Sequence, residues 1–85
     1  MSNYDHYDVA MKIIKELKKQ GHDLYAGALH DAIISGSTGT EIGMRLRYEL
    51  RKMKESKISI DTNTRNKVDE LILEINKALG DAAND

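Results

Sequence analysis

Residues 35–41 read Ser-Gly-Ser-Thr-Gly-Thr-Glu, a run of small residues between two amphipathic helical patterns. Small and hydroxyl side chains predict a tight interhelical loop, and Thr38 followed three residues later by Glu41 matches a capping box. We therefore predict that Thr38 is the N-cap of a helix and that Glu41 reaches back to the Thr38 amide. The predicted structural residues of the loop are Gly36, Thr38, Gly39 and Glu41.

An anion-binding loop is the alternative reading of the same stretch, because unpaired amides at a helix start favour phosphate. A phosphate-binding P-loop also needs a lysine in the loop and a buried strand before it, and this stretch has neither. Glu41 would in addition put a negative charge in the first helical turn. The pattern therefore favours a structural cap over a ligand site.

Four segments around this loop have the apolar spacing of amphipathic helices. They cover about residues 5–20, 23–34, 39–55 and 62–79. The chain contains no proline, so nothing interrupts these helices. We predict an all-α fold, a small four-helix, mostly antiparallel bundle.

The ends of the segments and their apolar stripes refine this prediction. Gly21 is expected to stop the first helix in the left-handed conformation, and Gly80 is expected to stop the fourth. The expected core stripes include Tyr7 and Met11 in the first segment and Leu24 in the second. One domain is expected over residues 1–80, followed by a flexible tail over 81–85.

Composition limits the classes of function open to this chain. Cysteine is absent, which excludes disulfides and thiolate chemistry. No apolar run approaches the roughly 20 residues that span a bilayer, and the start lacks the basic and apolar regions of a signal peptide. We expect a cytoplasmic protein that does not use a membrane.

The third segment carries an unusual outward face. At about 100° per residue, Met44 and Tyr48 lie about 160° from the core direction defined by Leu46. Tyr, Met and Arg are enriched at the centres of protein interfaces. Either this face binds a protein, or another helix of the chain covers it, or both side chains stay half exposed. The predicted partner-binding residues are Met44, Tyr48, Arg45, Arg47 and Arg51.

Nucleic-acid binding is the competing use of the same helix. A helix, a small-residue turn and a basic helix have the outline of a helix-turn-helix motif. Residues 38–57 contain six Lys/Arg and three Glu, but the whole chain has 13 basic and 14 acidic residues. A DNA-binding domain of this kind is expected to be strongly basic, and the turn looks irregular for the motif. We therefore rank nucleic acid below a protein partner.

Metal binding and catalysis have little support in the sequence. His6, His22 and His30 are not at i, i+4 spacing on one helix, and no cysteine can complete a zinc site. The hydroxyl and carboxylate groups have no evident partner base or acid. We expect no metal, no cofactor and no enzymatic activity.

The run from Ala28 to Leu50 resembles a group of small uncharacterised bacterial all-helical proteins. The shared features are a Leu-x-x-Ala-Ile helix end, the Gly-Ser-Thr-Gly-Thr-Glu interhelical loop and a helix that contains Leu-Arg. The resemblance implies a bacterial origin and a helical fold, with no implied activity. The size of the chain and its pattern of charged residues are also similar to those of helical immunity proteins that neutralise bacterial toxins.

These observations lead to one functional expectation. The chain is expected to be a non-catalytic protein-binding or regulatory module, of an immunity-like kind. It would contact an acidic partner, or a second copy of itself as a homodimer, through the Met/Tyr face of its third helix.

Overall fold

The computed structural model describes residues 4–80 and contains four α-helices. They are α1 (His6–Lys19), α2 (Asp23–Ser35), α3 (Gly39–Ser56) and α4 (Thr62–Leu79). The predicted all-α four-helix bundle is confirmed, and each predicted helix end lies within one residue of the observed end. The tail predicted over residues 81–85 lies outside the described residues.

The four helices pack in a ring in chain order. Each described helix packs along its two neighbours in the ring, and the backbones of diagonal helices lie further apart. The start of α1 meets the end of α4, where His6 Nε2 bonds to the Glu74 carbonyl oxygen over 3.2 Å. The end of α1 meets the start of α4, where Gln20 Nε2 donates to Thr64 Oγ1 over 3.2 Å. These two contacts make α1 and α4 antiparallel.

The core is aliphatic, with one methionine and no aromatic ring. Its buried apolar side chains are Ala10, Ile13, Ile14, Leu17, Ala26, Leu29, Ala32, Leu46, Leu50, Met53, Val68, Leu71 and Ile75. Ile58 and Ile60, in the connection before α4, also pack against this cluster. Two polar side chains on α4, Thr64 and Asn76, are buried beside it.

Three residues expected in the core lie outside it. Tyr7 and Met11 are each about half exposed, and Leu24 is 89% exposed. The stripe of α1 is instead centred on Ile13, because α1 packs between α2 and α4 and lies across the ring from α3. Leu24 lies on the side of α2 that faces away from both neighbouring helices. The expected core stripes of α1 and α2 were therefore wrong at these positions.

Local sequence signals end the helices. Gly21 has a φ of +85°, and the amides of Gly21 and His22 bond to the carbonyls of Lys18 and Leu17, which is a Schellman motif. Asp61 is the N-cap of α4, because its carboxylate accepts from the Thr64 amide at 2.7 Å.

Lys57 ends α3 in the left-handed region, with a φ of 57°. A Cβ is disfavoured there, so Lys57→Gly is expected to raise the free energy of unfolding by about 0.5–1 kcal/mol. The gain stays small because glycine also has more freedom in the unfolded chain. Thermal unfolding followed by circular dichroism should show a midpoint about 2–6 °C higher. Lys57→Ala keeps the Cβ, and an equal gain in that control would contradict the backbone explanation.

Candidate protein-binding face

The outward face of α3 follows from the way α3 packs. Leu46, Leu50 and Met53 are buried against the other helices, which turns the opposite side of α3 to solvent. Met44 is 52% exposed and Tyr48 is 62% exposed on that side. No helix of residues 4–80 covers them. We use the name α3 face for Met44, Tyr48 and the cations around them, which are Arg45, Arg47, Arg51 and Lys52.

The cations of the α3 face have different surroundings. Lys52 Nζ lies 5.7 Å from the centre of the Tyr48 ring, within the range of a cation–π interaction. Arg45 is about half exposed and pairs with Glu41 across one helical turn, with Nη2 and Oε2 3.8 Å apart. Arg47 is half-buried and donates from Nη1 to Asn76 Oδ1 on α4 over 2.7 Å. Arg47 is thus held against the bundle, whereas Arg45 and Lys52 extend into solvent.

Lys52 was missing from the residues predicted to bind a partner. The sequence did contain a signal for it, because Tyr48 and Lys52 are four residues apart on one helix and such pairs are neighbours on the helix surface. Arg51, which was predicted, is half-buried on the same helix. Its contact with the Tyr48 ring makes Lys52 a member of the α3 face.

Two open hollows flank Met44 and Tyr48. The larger, about 970 Å³, lies between α2 and α3 and has Ala28 and Asp31 on its α2 side. The smaller, about 440 Å³, lies over α3 itself and is bordered by three cations and one carboxylate. Those charged residues are Arg47, Arg51, Lys52 and Glu55. Met44 and Tyr48 therefore lie between the two hollows, and the hollow over α3 is bordered mainly by positive charges.

The loop before α3 is held by its own side chains. Thr38 Oγ1 accepts from the Glu41 amide at 3.1 Å, and Glu41 Oε1 accepts from the Ser37 amide at 2.6 Å. The Glu41 carboxylate thus reaches one residue further back than the predicted Thr38 amide. The Ser37 amide, together with the Arg45 charge, holds the pKa of Glu41 below its usual range. Two of the amides that an anion would use are already bonded within the loop.

The three histidines lie apart from the α3 face. The His6 ring bonds to the Glu74 carbonyl, the His22 ring bonds to the Ser59 carbonyl at 2.6 Å, and His30 is exposed on α2. Within residues 4–80, no three His, Asp or Glu side chains come together as a metal ion would require.

Tyr4 has the most strongly shifted pKa among the described groups. Burial raises the pKa of Tyr4 to about 12, and the nearby carboxylates of Glu70 and Glu74 add to the shift. The phenol therefore keeps its proton at neutral pH and does not act as a base there.

In the part of the chain that the structure describes, no helix combines the length and the apolar character needed to cross a membrane. No protein-family model, curated protein or solved structure matches this chain.

Proposed function

We propose that this protein is a non-catalytic protein-binding module that uses the α3 face. The observation that carries the proposal is the exposure of Met44 and Tyr48 side by side, with cations around them. Tyrosine has a large apolar body and a polar tip, which suits it to an interface that is dry at the centre and wet at the edge. The complementary partner would offer an acidic and partly apolar helical surface.

Two kinds of interaction would stabilise a complex at the α3 face: apolar burial at its centre and charge-assisted hydrogen bonds at its edge. Covering Tyr48 and Met44 would remove apolar area from water, which is favourable by roughly 25 cal/mol per Å². Lys52 and Arg45 would add charge-assisted hydrogen bonds to carboxylates at the edge. Arg47 would keep its bond to Asn76 and hold α3 against α4, so its contribution to binding would be smaller than the sequence suggested.

Tyr48 is the residue to test first. The protein is expressed in its native cell with a photoreactive amino acid in place of Tyr48. Illumination is expected to give a discrete crosslinked protein product. Charge reversal by Lys52→Glu should reduce that product about tenfold or more, because the rim contacts would become repulsive. The matched control is the same photoreactive residue at Leu73, which is 53% exposed on α4. Equal crosslinking from positions 48 and 73, or a product that Lys52→Glu leaves unchanged, would contradict the proposal.

Nucleic-acid binding by α3 stays the alternative. The connection between α2 and α3 has only three residues, 36–38, which is within the range of a helix-turn-helix. Recognition helices contact bases mainly with their N-terminal residues. The first cation of α3 is Arg45, after Glu41, which favours the protein partner. An affinity for mixed DNA that falls steeply with salt would favour the alternative.

A further inference from the structure

The outward side of α2 exposes two large apolar side chains among the polar ones. Leu24 is 89% exposed and Ile34 is 64% exposed. The exposed charged, imidazole and hydroxyl side chains of the helix lie on the same side, and they are Asp23, His30, Asp31 and Ser35. No other helix of residues 4–80 covers Leu24 and Ile34, so both are open to contact with another molecule.

Gly27 is a second observation on the same helix. It lies in the middle of α2, where glycine weakens a helix relative to alanine. Within the monomer nothing requires its small size, because a Cβ added at Gly27 would meet no atom within 4 Å. Close approach of another backbone is a common reason for glycine at such a position. A partner that packs tightly on α2 would explain Gly27.

Charge identifies a matching surface for α2. No lysine or arginine occurs between Gln20 and Met44, and α2 carries two carboxylates, Asp23 and Asp31. By contrast, α3 carries five Lys/Arg and three Glu, which give it a net charge of +2. The net charge of α2 is −2. The two helices are neighbours, and both line the hollow that holds Met44 and Tyr48. One molecule therefore presents an acidic helix and a basic helix side by side, each with two large exposed apolar side chains.

We propose that the partner of the α3 face is α2 of a second copy of this chain. This inference rests on the proposed function and names the partner for the same face. In the dimer, Met44, Tyr48 and Lys52 of each copy lie against Asp31, Gly27 and Leu24 of the other, in that order, because α2 and α3 are antiparallel. The contact is isologous, as in most soluble homodimers.

Charge also selects the orientation of the two copies. A two-fold axis across the helices would place α2 on α2 and α3 on α3, so like charges would face each other. A two-fold axis along the helices places α2 of each copy on α3 of the other, and opposite charges meet twice. Like-charge contacts at an interface are strongly disfavoured, so the dimer has its axis along the helices.

The first test is the absolute mass in solution, measured by light scattering on a sizing column over a range of concentrations. The wild type is expected to have twice the chain mass of 9.6 kDa. Gly27→Gln and Tyr48→Glu, one on each side of the contact, should each weaken the dimer tenfold or more and leave a folded monomer. The matched control Leu73→Glu, on the outward side of α4, should remain a dimer. Gly27→Gln tests the inference without threatening the fold, because the space around Gly27 is open.

A charge exchange between the two helices tests the pairing itself. Asp23→Lys with Asp31→Lys changes the net charge of α2 from −2 to +2, and Arg45→Glu with Lys52→Glu changes that of α3 from +2 to −2. Like charges then face each other in both homodimers, so each double variant alone should be mainly monomeric. An equal mixture should form a heterodimer, because both contacts then join opposite charges. An interface between two α3 helices would leave the α2 double variant dimeric, and this result would overturn the proposed pairing.

Failure of this inference can be told apart from failure of the proposed function. A wild type that stays monomeric at high concentration, with a crosslink from position 48 to a different protein, overturns the second-copy partner and leaves the binding face standing. A dimer that Tyr48→Glu does not weaken overturns the second-copy partner, and the absence of any crosslink from position 48 in the same protein overturns the binding face as well.

Discussion

Leu50→Ala is expected to lower the free energy of unfolding by about 3 kcal/mol, within the 2–5 kcal/mol range of such truncations. Leu50 is fully buried at the centre of α3 and belongs to the core cluster. Removing its branched end loses apolar burial and leaves a cavity that the helices fill only in part. A domain of this size has a total stability of roughly 5–10 kcal/mol, so the loss is a large fraction. Urea denaturation followed by circular dichroism measures it, with an unchanged slope expected.

The matched control is Tyr48→Ala, two residues away on the same helix. Tyr48 faces solvent and contacts Lys52, so its removal should change the free energy of unfolding by less than about 1 kcal/mol. If Tyr48→Ala destabilised the protein as much as Leu50→Ala, the orientation of α3 would be wrong, and so would the α3 face.

Gly36→Ala is expected to destabilise the protein by about 1–3 kcal/mol through overpacking. A Cβ at position 36 would collide with Ile42 Cγ1, and it would lie only 3.1 Å from the Ile42 backbone nitrogen and 3.2 Å from its Cα. The Ile42 side chain can rotate away, but its backbone belongs to the first turns of α3 and cannot move without shifting the loop. Thermal unfolding should show a midpoint lower by at least 4 °C, and amide NMR shifts should change around residues 35–42.

Gly39→Ala, at the first residue of α3, is the control. A Cβ at position 39 would have only the Tyr7 hydroxyl within 4 Å, at a distance of 3.9 Å. Alanine is also the better helix former, so the variant should be neutral or slightly more stable. Equal destabilisation by both substitutions would mean that the loop needs glycine for backbone freedom rather than for space at Gly36.

The helices and their limits could be predicted because the signals for them are local. The 3.6-residue period, the glycine stops and the Thr38 cap each involve atoms within a few residues of one another. The position of Met44 and Tyr48 opposite the core stripe of α3 could be predicted for a related reason, because it depends only on the helical period. Whether another helix covers these two side chains could not be predicted. Thus the position of the α3 face on its helix could be predicted before its surroundings were known.

What surrounds the α3 face could not be predicted in this way. Arg47 bonds to Asn76, which lies 29 residues away in sequence, and no local pattern pairs these two side chains. Gln20, at the end of α1, reaches Thr64 on α4 for the same reason. Such contacts depend on which helices are neighbours in the ring, and a helical period carries no information about neighbours.

The sequence by itself therefore determined the number of helices, their ends, and the position of Met44 and Tyr48 opposite the core stripe of α3. Only the tertiary structure decided where each apolar stripe has its centre. Tyr7, Met11 and Leu24 match the helical period as well as the buried residues do, but they lie about half exposed or more. The physical reason is that periodicity identifies an apolar side of a helix, whereas burial depends on the angle at which neighbouring helices cover that side. Likewise, only the tertiary structure showed that Leu24 and Ile34 on α2 are exposed, because no neighbouring helix covers them.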